Sequence, residues 1–308
     1  MANDFGHTNG RLLGQMILAN LVSLPVLSNI SSNWGGVKNG QRVKFNQEVS
    51  VPLVTSVAVQ DYSKTDGYVA SDSADGNATL TINKHKHVTR EVDVEEGYSF
   101  DDALLSRYAA LDANTLANEM VADLLALVVN PDIPTATQQT VQAIGGFGHD
   151  TVVDVNTALD NRDVTEVGRF GVLNATYHGG LRKDAVVAGN NTNSGSSSIS
   201  SGVITDVDGV DFSKFAKLPA NGESLVGFVG TMDSLAIATI LPDLAMLKDA
   251  KGIPADAAIQ VITDKKSGLS ILLVEKMDSD MGIIKRSYRL MYGVGLGNTK
   301  NLQKIASA

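Results

Sequence analysis

The residues best placed to do chemistry lie in His85-Lys-His87, with Glu91 four positions further on. On a strand, positions i and i+2 point to one side, so the two imidazoles could grip one metal ion with Glu91 beside them. The pattern lacks the flanking glycines and the second, histidine-bearing half of such a site. Lys84, Lys86 and Arg90 also set like charge beside any cation. A solvated strand face is the plainer reading, and no metal ligand is assigned. Gly293-Val-Gly-Leu-Gly-Asn-Thr-Lys300 has the glycines of a phosphate cradle but not its Gly-Lys-Ser/Thr end, and reads as a glycine-loosened strand end. The acid groups Asp93, Glu95 and Glu96, and Asp278 with Asp280, fall in a polar strand and a turn, not in an apolar pocket that would raise a pKa. There is no cysteine, hence no thiolate nucleophile, disulfide or zinc–thiolate site. No catalytic residue and no cofactor site are assigned, and the expectation is a protein that is not an enzyme.

The elements that carry these residues point to assembly. Arg42 to Val59 and Ala78 to Glu96 both alternate apolar with polar residues, the signature of an extended ribbon. The polar stretch Gln60 to Asn77 between them should be solvated. A two-stranded ribbon of that length is not stable alone in water and needs a surface to lie on. If its own domain does not supply one, a neighbouring subunit must.

The ribbon runs into a long helix. Ser99 suits the N-cap, and Asp101 and Asp102 fall in the first turn, where the helix dipole favours negative charge. Leu104, Tyr108, Leu111, Leu116, Met120, Leu124 and Leu127 form one apolar face down to Val129, a spine of ~40 Å at 1.5 Å per residue. Before the ribbon, Leu12, Leu13, Met16, Ile17 and Leu21 have helical spacing, either a helix packed on the body or an arm reaching a neighbour. After the spine, helices are expected over 150–161, 175–184 and 233–241, and strands over 169–173, 224–229, 259–263, 270–277 and 281–294. The run from Gly189 to Gly202 is a low-complexity, exposed insertion. No tandem strand–helix alternation and no repeat of fixed period occurs, so the class is α+β in two lobes.

Composition agrees. A chain of 308 residues exceeds what one core usually supports. A net charge of −9 argues against a nucleic-acid surface covering the whole chain. No apolar run reaches the ~18 residues expected of a membrane helix, so no membrane partner is expected. The missing cysteine fits a reducing compartment such as a bacterial cytoplasm, and the start, Met1-Ala-Asn-Asp-Phe-Gly, lacks the pattern of a secretory signal.

One stretch carries a family likeness. Ala158-Leu-Asp-Asn-Arg-Asp-Val-Thr-Glu-Val-Gly-Arg-Phe-Gly-Val-Leu, followed by Tyr177 and Leu181, resembles a segment of the major capsid proteins of tailed double-stranded DNA phages. There a helix ends in Leu-Asp-x-x-x-Val-Pro and is followed by Gly-Arg-x-x-Val-Leu; here Thr165 stands at the proline. Gly202-Val-Ile-Thr-Asp-Val-Asp-Gly-Val-Asp-Phe-Ser is similar to a second family segment, with Val210 where phenylalanine is common. The ribbon's end in Asn83-Lys-His-Lys-His-Val, leading into the long helix, is a third point of likeness.

The resemblance implies the Hong Kong 97-type fold. It divides the chain into an N-terminal arm (1–41), an extended β-hairpin loop (42–98), a peripheral domain with the spine helix (99–149), an axial domain (150–265) and returning strands (266–308). It implies a virion structural protein, assembled in the bacterial host cytoplasm, that builds the phage head from hexamers and pentamers of itself. Scaffolding and portal proteins, and packaged double-stranded DNA bound without sequence specificity, are the implied partners. Arg42, Lys44, Lys64, Lys84, Lys86 and Arg90 are the expected ribbon contacts to a neighbouring subunit. An encapsulin-like compartment shell of the same fold is the alternative, and a metal-binding β protein built on His85 and His87 a remoter one.

Overall fold

The computed structural model describes residues 5–22, 25–33, 37–38, 41–42, 45–53, 61–65, 67–68, 77–93, 102–129, 131–188, 204, 206–215, 218, 223–240, 258–263, 269–278 and 282–308. The chain opens with helix α1 (Phe5–Val22), the single turn α2 (Pro25–Ser28) and the short strands β1 (Ser31–Asn33), β2 (Val37–Lys38) and β3 (Gln41–Arg42). β4 (Glu48–Pro52) and β5 (Asn77–Thr81) form the base of the ribbon, and β6 (Lys84–Asp93) precedes the long helix α3 (Asp102–Leu125). Next come α4 (Thr135–Gln138), β7 (Gln139–Val141), α5 (His149–Asp160), β8 (Phe170–Leu173), α6 (Ala175–Lys183), β9 (Asp211–Lys214) and β10 (Leu225–Gly230). Strands dominate the rest: β11 (Leu235–Thr239), β12 (Ala258–Thr263), β13 (Ser270–Asp278), β14 (Ile283–Leu296) and β15 (Leu302–Ala306).

Two sheets organise these elements. In the first, β14 is the central strand. One edge pairs with β6, and the other is shared end to end by β13 and β11. β12 extends the sheet beyond β13, and β1 lies parallel to β11. Along β14 the even positions Tyr288, Leu290 and Tyr292 face α1 and α3, in a core with Leu13, Ile17, Ala113, Leu116, Met120 and Leu124. The second sheet has the order β7-β15-β10-β8-β9. One of its faces sends Phe170, Val172 and Phe228 into the same core; the other, with α5 and α6, encloses a second core around Val155, Leu159, Leu173, Tyr177 and Leu181. Burying a large apolar side chain contributes ~1.5–3 kcal/mol, so these two clusters supply most of the driving force for the fold.

Several expectations are corrected. Lys84–Asp93 does not run back along the first ribbon strand; it pairs with β14 in the body of the protein, and only Asn77–Thr81 pairs with β4. Asp233 to Leu241 is not a helix. A 3-10 turn at Met232–Ser234 leads into β11, whose residues are all buried between β1 and β14. A short apolar run has no periodicity to tell strand from helix, and a position central in the sheet decides for strand. Leu111 was assigned to the buried face of α3 but is 59% exposed, while Ala109, Ala113 and Ala117 are buried. These alanines let α1 approach α3 closely, and α1 packs on α3 and on β12 and β13 of its own chain. Ser99, the Gly189–Gly202 run and Lys44 lie outside the described residues.

Candidate interaction surfaces

The strand β6 and the helix α3 are locked by a ladder of charge. Arg90 donates from Nε and Nη2 to the two carboxylate oxygens of Asp112, at 2.7 and 2.6 Å. Lys86 Nζ lies 3.0 Å from Glu119, and Lys84 Nζ lies 2.8 Å from Asp123. The spacing follows from geometry. Six residues of strand advance ~20 Å, and the eleven from Asp112 to Asp123 advance a helix ~17 Å, so the even positions of β6 keep step with one face of α3. Burial pushes the Asp123 carboxyl up, but hydrogen bonds from Lys84 and Tyr292 outweigh it and hold the group below its usual range. The Arg90 guanidinium, held by Asp112, also lies 4.3 Å from the Tyr108 ring centroid. Lys84, Lys86 and Arg90 are each paired with the long helix of their own chain.

The opposite face of the same strands is different. The odd positions His85, His87 and Thr89 of β6 and Lys285, Ser287 and Arg289 of β14, with Val274 and Lys276 of β13, line an open cleft of about 580 Å³. His85, His87, Thr89, Lys276 and Lys285 are exposed. His85 and His87 do share a face, as the sequence suggested, and Glu91 shares it too. However, Lys285 Nζ lies 2.6 Å from the Glu91 carboxylate, and Arg289 pairs across the ladder with His87. Burial, then Arg289, then His87 lower the pKa of His85. A metal ion would meet Arg289, Lys276 and Lys285, so the arrangement suits an anion.

The ribbon base sits on this face too, beyond the cleft. Val49, Val51, Leu53, Ala78, Leu80 and Ile82 pack on Ala236, Ala238 and Ile240, with Met291 against them. The glycines 293, 295 and 297 are the seat. A Cβ at Gly293 would collide with the Thr81 carbonyl, one at Gly295 with the Leu80 side chain, and one at Gly297 with the Asp233 carbonyl. That run is therefore a surface shaved flat for the ribbon, continuing β14 to Leu296. The ribbon base thus has its surface within the subunit. Residues 61–65 and 67–68, between the two strands of the base in sequence, form a small turn closed by a Ser63–Gly67 bridge with Gly67 at φ 71°. Tyr62 and Tyr68 flank it, 60% and 93% exposed, with ring centroids 5.0 Å apart. Lys64 is exposed at the turn; the backbone of Arg42 lies in β3. Sequence reading passed over the tyrosine pair, Lys276 and Arg289; for the two cations the signal lay in the strand register, which sets even positions of β13 beside odd positions of β14.

The Gly168-Arg169 segment turns out to be structural. Gly168 has φ 77°, which a glycine adopts without strain. Arg169, 4% exposed, donates to Asp160 at 2.5 Å, to the carbonyls of Val164 at 2.6 Å and Thr165 at 3.0 Å, and to Asn156 at 3.2 Å. It ties the end of α5 to the start of β8. The turn at Val207–Val210 joins this network, since Asn156 Nδ2 donates to the carbonyl of Asp208 at 2.7 Å.

No family model and no curated protein matches the chain. Solved structures do. The capsid structure of cyanophage P-SCSP1u superposes with a TM-score of 0.52 at 13% identity, over 91% of this chain and 86% of that one. The mature capsid of bacteriophage PhiM1 gives 0.52 at 10% identity, over 90% and 86%. A structure from Microbacterium phage Oxtober96 gives 0.50 at 9% identity, over 92% and 91%. The likeness is one of fold over nearly the whole chain, and this protein has an α+β fold of the phage capsid type.

Proposed function

We propose that this chain is the major coat protein of a tailed double-stranded DNA phage, a structural protein that assembles with copies of itself as hexamers and pentamers into the icosahedral head. Its place is the virion, after assembly in the cytoplasm of a bacterial host, with scaffolding and portal proteins and the packaged DNA as partners. The fold supports this reading, and one observation carries it. The segment between the two strands of the ribbon base carries a turn with two tyrosines exposed to water. An exposed aromatic pair suits a contact with another molecule. The described residues hold no cluster of metal-ligating side chains, and their charged groups are engaged in building the subunit or presented on its faces.

Electron microscopy of the expressed, purified protein tests this. Closed particles of regular diameter are the expected result. A protein that stays monomeric across concentrations and salt conditions would sink the reading.

A further inference from the structure

We infer that the start of α6, with His178, Arg182 and Lys214 about it, is a binding site for an oxyanion of the phosphate kind. The site lies on the second sheet and within one chain, so it does not depend on whether copies assemble. Its basis is a row of polar and positive groups that folding leaves without an anion. The register of β8 and β9 sets Lys214 beside Leu173, two residues ahead of α6. Phe212 points from β9 into the core beneath α5 and α6, so Lys214, two residues on, leans to the same side. His178 and Arg182 are about one turn apart on α6, ~6 Å at 1.5 Å per residue. Helical side chains lean toward the N-terminus, which brings His178 over Asn174 and Ala175, and Arg182 over His178.

Two acids stand nearby in the sequence, and both are engaged. Asp184 accepts the backbone N–H groups of His149, Val186 and Val187. Asp211 accepts that of Asp206. Among the described residues no carboxylate pairs with Arg182 or Lys214, although the chain carries 34 acidic residues against 25 Lys and Arg. His178 is 7% exposed, and no hydrogen bond reaches its ring among the described residues. A buried polar ring without a partner is uncommon and calls for one. Burial, then Lys214, then Arg182 hold its pKa below the usual range. At pH 7 the ring is therefore neutral, with one N–H to donate.

The helix adds donors of its own. The Asn174 side chain caps the Tyr177 N–H at 2.8 Å, while the N–H groups of Ala175 and Thr176, both exposed residues, stay open at the helix start. The positive end of a helix favours an anion and disfavours a cation, so Lys214 in that place is a cost to the chain alone. Arg182 and Lys183 suit the last turn for the opposite reason; Lys214 and His178 have no such use. A phosphate oxyanion answers all of these groups together, with charge for Lys214 and Arg182 and lone pairs for His178 and the backbone. It can come as free phosphate or as the phosphodiester of a nucleic acid, the chemistry at the site being the same.

Calorimetric titration of the full chain with inorganic phosphate, at constant ionic strength, reads the site. R182Q and K214Q change exposed side chains and should each weaken binding about tenfold, the loss of one charge-assisted hydrogen bond. K183Q, next to Arg182 but off the row, should bind as the parent does. Melting curves in chloride should be alike for all four proteins, which keeps the comparison free of folding effects. A short DNA duplex, followed by fluorescence anisotropy, separates the two sources. Duplex binding that weakens with R182Q and K214Q assigns the site to nucleic acid. Phosphate binding that weakens with them, while the duplex does not bind or binds regardless of them, assigns it to the free ion. If neither probe binds the parent, or both variants bind as the parent does, there is no such site. If K183Q weakens binding as much as they do, diffuse charge is responsible and the inference also fails.

Discussion

Arg286 and Glu275 meet inside the six-stranded sheet, Nε to Oε1 2.7 Å, with side chains 8% and 6% exposed. Taking both charges out of water is expensive, and their pairing offsets that expense only while both are present. Glu275→Leu alone strands a buried guanidinium and should cost ~3–5 kcal/mol, whereas Glu275→Leu with Arg286→Met should cost clearly less. Thermal melting of the parent, the single and the double variant measures this. A double variant as damaged as the single would show that the pair is no isolated unit. Neither partner was legible in the sequence. Glu275 and Arg286 are 11 residues apart and read as ordinary strand polars; only the hairpin register brings them opposite. Lys304, 1% exposed and bound to Glu223, was hidden for the same reason, 81 residues from its partner. Arg169 stood out only as part of a family likeness, and its network is local, reaching back no further than Asn156.

Elements show where sequence signals are strong. The amphipathic period of α3 and the alternation of β14 placed those segments within a few residues, whereas the alternation of Ala78 to Glu96 ran two strands, β5 and β6, into one. β11 and β15 were not legible, since each is a five-residue strand whose state is set by neighbours in the sheet. The glycine run after Met291 was read as a loosened strand end. Its physical role is close approach. Gly293→Ala would press a methyl group against the Thr81 carbonyl, backbone that cannot swing aside as a flexible side chain can. The ribbon base would have to lift from β14, a loss of ~1–3 kcal/mol typical of overpacking. Gly145→Ala is the control, since a Cβ there meets nothing within 4 Å. Limited proteolysis near Leu53 and Asn77 should rise in the first variant and not in the second. Equal protection in both would show that the seat has slack.

For the whole molecule, the decisive separation is between what folds a subunit and what would join subunits. The described residues of both large cores and of the ribbon base lie outside 54–76. Replacing 54–76 by a tight turn should therefore leave a folded, helical subunit, because changing a loop's length costs little. That variant should sediment as monomers or small capsomers and build no closed particle. Closed particles from it would show that the ribbon is not the assembling element. There is a further consequence in how β14 is bonded. Its fourteen residues are held by β6 on one side and by β13 and β11 in line on the other, with the ribbon seated at one end. A tug on the ribbon directed along β14 loads those ladders in shear, so many hydrogen bonds must stretch together before any one yields. Mechanically, the strand is a tie bar. Under outward pressure, a shell built of such pieces would part at the seams between copies and release its subunits whole.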